Sequence, residues 1–344
     1  MKTDDEVHSY SVFCEEPEID LELKRILIIV NPKSGRRKGL NVLERVRPIL
    51  ENGGCTVKVS ETQYAGHARV LAEEEDLSNI DVLGVIGGDG TLHEIVNGFM
   101  SRKVKKNSSV TLCMFPAGTG NTVAYDLKIT SPEKAAEIIL KGLTRRIDVG
   151  VLDKVTPSSN NNAEEGRLYW INICGYALPT TVLELANRLR FLGGAQYDIA
   201  GKISLVKNKG YECKIEMIDA NNKEHTLEGN YFMVQAQITV HMGDKWAFAP
   251  DAKLDDGLMD LILVERKGVG KMLSTMLAAQ RSDGSHLQKE CVHYHQVKQF
   301  KLTPILSKKN KLQGDKTVNL DGELVGFSPF VATIAHKAIR FVAE

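Results

Sequence analysis

An aspartate set among three glycines, Gly87-Gly88-Asp89-Gly90, lies between a short apolar run and a segment with helical spacing. Glycines let the backbone come close to a ligand, and the amides at the start of a helix attract an anion. An acid inside such a loop repels phosphate unless it handles a proton or a metal ion. Asp89 is therefore a candidate general base or magnesium-linked carboxylate. Thr91 and Glu94 have the T-x-x-E spacing of a capping box, which predicts a helix starting at Thr91. Two more loops of small residues follow apolar runs. NPKSG at 31–35, with Arg36, Arg37 and Lys38 just beyond, follows RILIIV, and PAGTGN at 116–121 follows residues 111–115. A bland strand–turn–helix connection can also contain GGDG, but three such loops in order argue against coincidence. None has the GxxxxGK[ST] pattern of a Walker loop, and no GxGxxG follows the first apolar run.

The elements that must position these loops read as strands over 25–30, 57–62, 82–86 and 110–115. Helices over 40–50, 67–75, 92–100 and 133–140 alternate with them, the last opened by Ser131-Pro132. Such alternation predicts βαβ units and a parallel sheet, with all three loops along its carboxyl edge, where open α/β folds bind ligands. Beyond about residue 144 strands dominate, over 147–155, 168–174, 211–218, 227–240, 258–264, 292–302, 317–320 and 330–342. Helices over 183–192 and 269–279 interrupt them. The polar stretch 157–166 reads as a surface loop. The expected organisation is an acidic flexible leader at 1–24, an α/β nucleotide-binding domain at 25–144 and a β-sandwich domain at 145–344.

NPKSG (31–35), GGDGTLHEIVNG (87–98) and PAGTGN (116–121), with APDAKLDDGLMDLILV (249–264) and NLDGELVGFSPF (319–330), resemble the diacylglycerol kinase catalytic-domain family of lipid kinases. The look is closest to its sphingosine and ceramide kinase branch. The resemblance covers roughly residues 25–342. It implies an α/β domain and a β-sandwich with the active site in the cleft between them, and ATP and Mg2+ as cofactors. By the same resemblance Asn31, Ser34 and Gly35 line the ATP phosphates, Thr62 contacts the nucleotide, and Gly87, Gly88, Gly90 and Thr91 cradle phosphate. Gly118, Thr119, Gly120 and Asn121 continue that site. Asp89 takes the proton of the lipid hydroxyl or helps place it, and Asp321, Gly322 and Glu323 return to the nucleotide through magnesium. Sphingosine kinases place an amine-recognising aspartate in the segment matching 175–194, whose only acid here is Glu184. Glu184, Leu185 and Leu189 are the acceptor-site candidates, and diacylglycerol, ceramide or another lipid alcohol stands beside the sphingoid bases. The alternatives weighed are an NAD-kinase-like small-molecule kinase and a catalytically silent lipid-binding protein on the same scaffold.

Composition bounds these readings. The chain has 344 residues with 44 basic and 44 acidic side chains, so its formal net charge is zero. That balance argues against nucleic acid as a partner. Residues 1–24 hold eight acids and two bases, a net of −6, so residues 25–344 carry +6. Six widely spaced cysteines form no C-x-x-C and fit a reducing compartment. The N-terminus is not a secretory signal, and no apolar run approaches the ~20 residues that span a bilayer. A cytoplasmic protein that touches membranes peripherally is expected. Basic runs at Arg102, Lys103, Lys105, Lys106 and at Lys308, Lys309, Lys311 suit an anionic surface. Asp251, Asp255, Asp256 and Asp260 form an acidic cluster; the resemblance implies that such a loop can hold a structural metal, with Asp255 and Asp256 as candidate ligands, beside a solvated turn at Asp256-Gly257. His293 and His295 alternate on one expected strand, without a third ligand.

Overall fold

A computed structural model describes residues 10–102, 110–118, 120–154, 166–189, 195–243, 246–305, 317–326 and 329–344. The chain forms two compact units. An α/β unit holds Glu15–Asn172, Leu320–Glu323 and Ala332–Glu344, and a β unit holds Ile173–Asn319 and Leu324–Val331 together with residues 10–14.

In the α/β unit the strands Thr111–Pro116, Val82–Gly87, Arg25–Val30 and Thr56–Glu61 pair in parallel in that order. Ile26 to Val30 are at most 1% exposed, which is why this strand is continuously apolar: both faces of a parallel sheet are covered. The covering helices are Gly39–Asn52, His67–Glu74, Asp89–Met100 and Pro132–Lys141. The last has its ends written in sequence. The Ser131 side chain accepts from the Lys134 amide at 3.1 Å, proline opens the first turn, and Gly142 closes the helix at φ +69°.

The α/β unit runs past the boundary expected at 144. Leu143–Lys154 pairs antiparallel with Leu168–Trp170 and with Glu18–Ile19, so the segment counted with the sandwich completes the first unit instead. The expected strand over 168–174 is two strands, Leu168–Trp170 and Ile173–Ala177, because the amides of Ile171 and Asn172 between them bond to Asp321. The acidic leader is also not free from residue 10 onward. Val12 and Phe13 are buried in the β unit, where the Leu254 amide donates to Val12 O at 2.8 Å. Leu23 is buried, and Asp20 donates its amide to Gly142 O within the α/β unit. Apolar side chains scattered among the acids anchor the segment. Residues 1–9 lie outside the described residues.

The β unit is an antiparallel sandwich. Ile173–Ala177, Glu224–Gln237, Met259–Glu265 and Val292–Pro304 lie in that order in one layer. Tyr211–Asp219 pairs with the first half of Glu224–Gln237 and the second half of Val292–Pro304, so the two long strands pass from one layer to the other. Register shifts between Tyr231 and Met233 and between Val297 and Gln299 mark where they bend. Leu178–Arg188 and Gln196–Lys207 are helices of this unit. The second has no counterpart in the sequence reading, since its buried face is the small and polar pair Ala200 and Ser204 while Tyr197, Ile203 and Val206 face outward. An apolar period cannot reveal a helix whose apolar side is exposed.

Candidate active site

Parallel pairing brings the loop-bearing strand ends level. Val30 is opposite Glu61 and Ile86, and Gly87 is opposite Pro116. Asn31, Thr62, Gly88 and Ala117 therefore follow side by side at the carboxyl edge of the sheet. The loops interlock there. Gly35 has φ +54°, and a Cβ on it would stand 1.9 Å from Ala117 O; a Cβ on Gly118 would stand 2.5 Å from the Cα of Gly88. Glycine at these positions lets three backbones converge where any side chain would wedge them apart.

Polar side chains lock the arrangement. Asn31 Oδ1 accepts from the Lys33 amide at 3.0 Å, and its Nδ2 donates to Thr91 Oγ1 at 3.2 Å. Asn121, at φ +53°, closes its own loop by accepting from the Gly118 amide and donating to Gly118 O, both at 2.9 Å. Ser34 begins a single helical turn, Ser34–Arg37, and Thr62 donates its amide to Val30 O at 2.9 Å. A cavity of about 480 Å³ opens beside this loop, lined by Lys38, Asn41, Arg45, Ala117 and Gly118. Thr119 lies outside the described residues.

Asp89 is the first residue of the helix Asp89–Met100, which starts two residues before the expected cap at Thr91. The capping box does not form. Glu94 instead accepts from the amides of Gly66 and Ala68 at 3.0 and 3.1 Å, serving the start of the helix His67–Glu74. Asp89 Oδ2 accepts from the Thr122 amide at 3.2 Å, whereas Oδ1 is buried with no hydrogen-bond partner among the described residues. Burial pushes this carboxyl above the usual range, and the charge of Asp321 adds to the rise, while the amides of Thr122 and Val123 oppose it. A carboxylate with raised proton affinity and one unpartnered oxygen at a helix start is equipped to accept a proton or meet a cation.

The Asp321-Gly322-Glu323 turn belongs to the same unit. Asp321 and Gly322 have φ of +52° and +95°. Asp321 is buried, with Oδ1 accepting from the Asn172 amide at 2.9 Å and Oδ2 from the Ile171 amide at 3.1 Å and His93 Nδ1 at 3.0 Å. Glu323 is exposed, with Oε1 3.5 Å from where a Cβ on Gly90 would stand. The sequence reading missed His93 and Asn97. Their i, i+4 spacing in HEIVN places both on one helix face and was available as a sign.

In the β unit, Glu184 is half-buried and accepts from Thr317 Oγ1 at 3.0 Å; Leu185 and Leu189 are half-buried near the end of Leu178–Arg188. The helix is entered through Ala177 at φ +70°, a conformation strained for alanine. Of the expected metal ligands, Asp255 Oδ1 accepts from the Cys14 amide at 2.7 Å and Asp256 Oδ1 from the Leu258 amide at 2.9 Å. Among the described residues no three His, Cys, Asp or Glu side chains form a metal cluster. Asp260 is fully buried and bonded to Tyr294, and burial pushes it up to about 7. His293 pairs with Glu265 at 2.9 Å. Arg102 is not part of a solvated basic run, since its guanidinium donates to Ala72 O and Glu75 O at 2.7 Å and caps His67–Glu74. Lys103, Lys105, Lys106, Lys308, Lys309 and Lys311 lie outside the described residues, as do positions 155–165 and 190–194.

Interlocked glycine loops at a parallel sheet edge, with a desolvated carboxylate beside them, define a phosphoryl-transfer scaffold. Residues 25–152 match the diacylglycerol kinase catalytic domain, and residues 175–343 match the YegS C-terminal NAD kinase beta sandwich-like domain. A diacylglycerol kinase of Staphylococcus aureus is 30% identical over 309 residues, covering 89% of this chain and 88% of its own. Sphingosine kinase 1 of Arabidopsis thaliana is 26% identical over 343 residues, covering 87% of this chain and 67% of its own. A diacylglycerol kinase crystal structure from Bacillus anthracis shares the fold, with a TM-score of 0.67 at 20% identity over 94% of this chain and 97% of that one. The chain belongs to the diacylglycerol kinase catalytic-domain family of lipid kinases. It is a lipid kinase, and kinase chemistry implies ATP as phosphoryl donor.

Proposed function

We propose that the chain transfers the γ-phosphoryl group of ATP to a hydroxyl of a neutral lipid alcohol such as diacylglycerol, with Asp89 as the proton acceptor. The observation that carries this reading is the Asp89 carboxylate itself, unpartnered at Oδ1 among the described residues, raised in proton affinity, and set where glycines let the loop backbones converge. The loops at 31–35, 87–91 and 118–121 and Thr62 hold the nucleotide, with Lys38 beside the cavity to meet its negative charge. Asp89 Oδ1 takes the proton as the lipid oxygen attacks, a contribution of about 10²–10⁴ in rate. One carboxylate present fits Mg2+: Glu323 is exposed, lies beside Gly90, and among the described residues nothing pairs with it. Bound Mg2+ would neutralise charge spreading over the transferring phosphoryl group, with Glu323 as its protein contact.

For the acceptor, the only acid between 175 and 194 is Glu184, and Thr317 already donates to it. Within that segment a charged amine finds only this carboxylate, already shared with a hydroxyl, which favours diacylglycerol over a sphingoid base. Likeness to a plant sphingosine kinase keeps the sphingoid base as the second reading. Phosphate transfer from labelled ATP to diacylglycerol, ceramide, sphingosine and NAD in turn tests both. Diacylglycerol is expected to be labelled most and NAD not at all; preferential labelling of sphingosine that is lost in Glu184→Gln would reverse the choice. A lipid acceptor also gives the protein a reason to bind membranes peripherally. No described helix is long and apolar enough to cross one.

A further inference from the structure

Asp321 sits two residues before Glu323, yet its own carboxylate is turned inward and already bonded to two backbone amides and to His93. A carboxylate in that position is an acceptor, so His93 Nδ1 carries the hydrogen between them. His93 stands one helical turn after Asp89 on the helix Asp89–Met100, and it is itself braced. Asn97 Nδ2 lies 3.3 Å from His93 Nε2 and donates to Tyr169 O at 2.8 Å, while Asn97 Oδ1 accepts from the Tyr169 amide at 2.9 Å. Helix, residues 169–172 and the 321–323 turn thus meet at one buried imidazole. The turn itself is a two-residue hairpin between Val318–Leu320 and Glu323–Val325, and its Asp-Gly pair suits the left-handed φ at both positions; what the imidazole adds is an anchor that holds the hairpin against the helix.

We infer that His93 is a positioning residue for phosphoryl transfer: by holding Asp321 it fixes the Gly322 turn and sets Glu323 beside Gly90, at the start of the helix that carries Asp89. Asp321 is then the anchor of the turn, not a contact of ATP or Mg2+. The inference rests on the functional reading above. A merely structural His93–Asp321 pair would contribute to stability and leave the kinetic effect of Glu323 untouched.

The test compares His93→Leu, which removes the donor, with His93→Asn, whose amide nitrogen falls near the place of Nδ1. Initial rates are measured against ATP with diacylglycerol vesicles, and melting curves are recorded alongside. His93→Leu is expected to lower kcat/KM for ATP tenfold or more, and His93→Asn to recover to within a few-fold. In a Glu323→Gln background His93→Leu should cost less than twofold further, since nothing is left to position. A spectroscopic signature accompanies this: in histidine-labelled protein the His93 ring N–H should exchange slowly with water and lose that protection in Asp321→Asn. If His93→Leu does not melt cooperatively, His93→Gln, polar but with its donor one bond farther out, replaces it with the same expectation. Unchanged kinetics in His93→Leu, an equal loss with and without Glu323, or an unprotected ring N–H would each overturn the proposal. Asp89→Asn, assayed in parallel, separates the levels. If it is inert while His93→Leu is unaffected, only the role of His93 falls; if it is active, the functional reading falls and this proposal with it.

Discussion

Asp89 has two carboxylate oxygens in unequal surroundings, one bonded to the Thr122 amide and one buried without a partner among the described residues. That asymmetry gives one substitution two opposite consequences. Asp89→Asn should reduce turnover by about 10²–10⁴ while ATP binding persists, read by ATP-dependent melting shifts. It should also stabilise the fold. The folded state holds the Asp89 proton more tightly than the unfolded chain does, so its contribution to stability is present in acid and is lost as pH rises past the usual carboxylate range. The variant should therefore melt above wild type near neutral pH, with the gap closing toward about pH 4. Equal melting temperatures at both pH values would contradict the desolvation of Asp89. The sequence singled out Asp89 because an acid among glycines has few purely structural uses. It did not reveal that Asp321 faces inward, since the donors that fix it, His93, Ile171 and Asn172, are some 150 to 228 positions away along the chain.

At the scale of elements, the three loops behave as one object. Gly35 meets Ala117 and Gly118 meets Gly88 at distances that exclude a methyl group. Gly118→Ala should push the 88 and 118 backbones apart and raise KM for ATP more than it lowers melting temperature. Gly35→Ala, at φ +54°, should cost stability as well, on the order of 1 kcal/mol or more in a chemical melt, because alanine resists the left-handed backbone. A Gly118→Ala enzyme with normal KM would mean that the convergence does not serve the nucleotide. The parallel strands Arg25–Val30 and Val82–Gly87 were legible because burial on both faces makes them almost uniformly apolar. The helix Gln196–Lys207 was not, because its inner face is small and polar. The helix at 89–100 was read correctly in kind but two residues late, because Glu94 serves a different helix start.

For the whole molecule, zero net charge divides into an acidic N-terminal segment and a basic remainder. The segment from residue 10 is pinned by Val12, Phe13 and Leu23, whose burial no count of charges could reveal. Global stability should carry a second pH dependence. Asp260, buried and raised to about 7, has a folded-state proton affinity above its unfolded value. The stability from its proton is complete below the unfolded carboxylate range and declines as pH climbs through about 7. Asp260→Asn should flatten the fall in melting temperature across that interval without altering the acceptor preference. An unchanged slope would mean that Asp260 is ionised throughout.

The most direct measurement is the transfer of labelled phosphate from ATP to lipid, run with wild-type protein and Asp89→Asn on vesicles carrying diacylglycerol. Wild type should yield a labelled phospholipid and the variant almost none while remaining folded. No labelled lipid from wild type with any of diacylglycerol, ceramide or sphingosine, or equal labelling by the two proteins, would contradict the account.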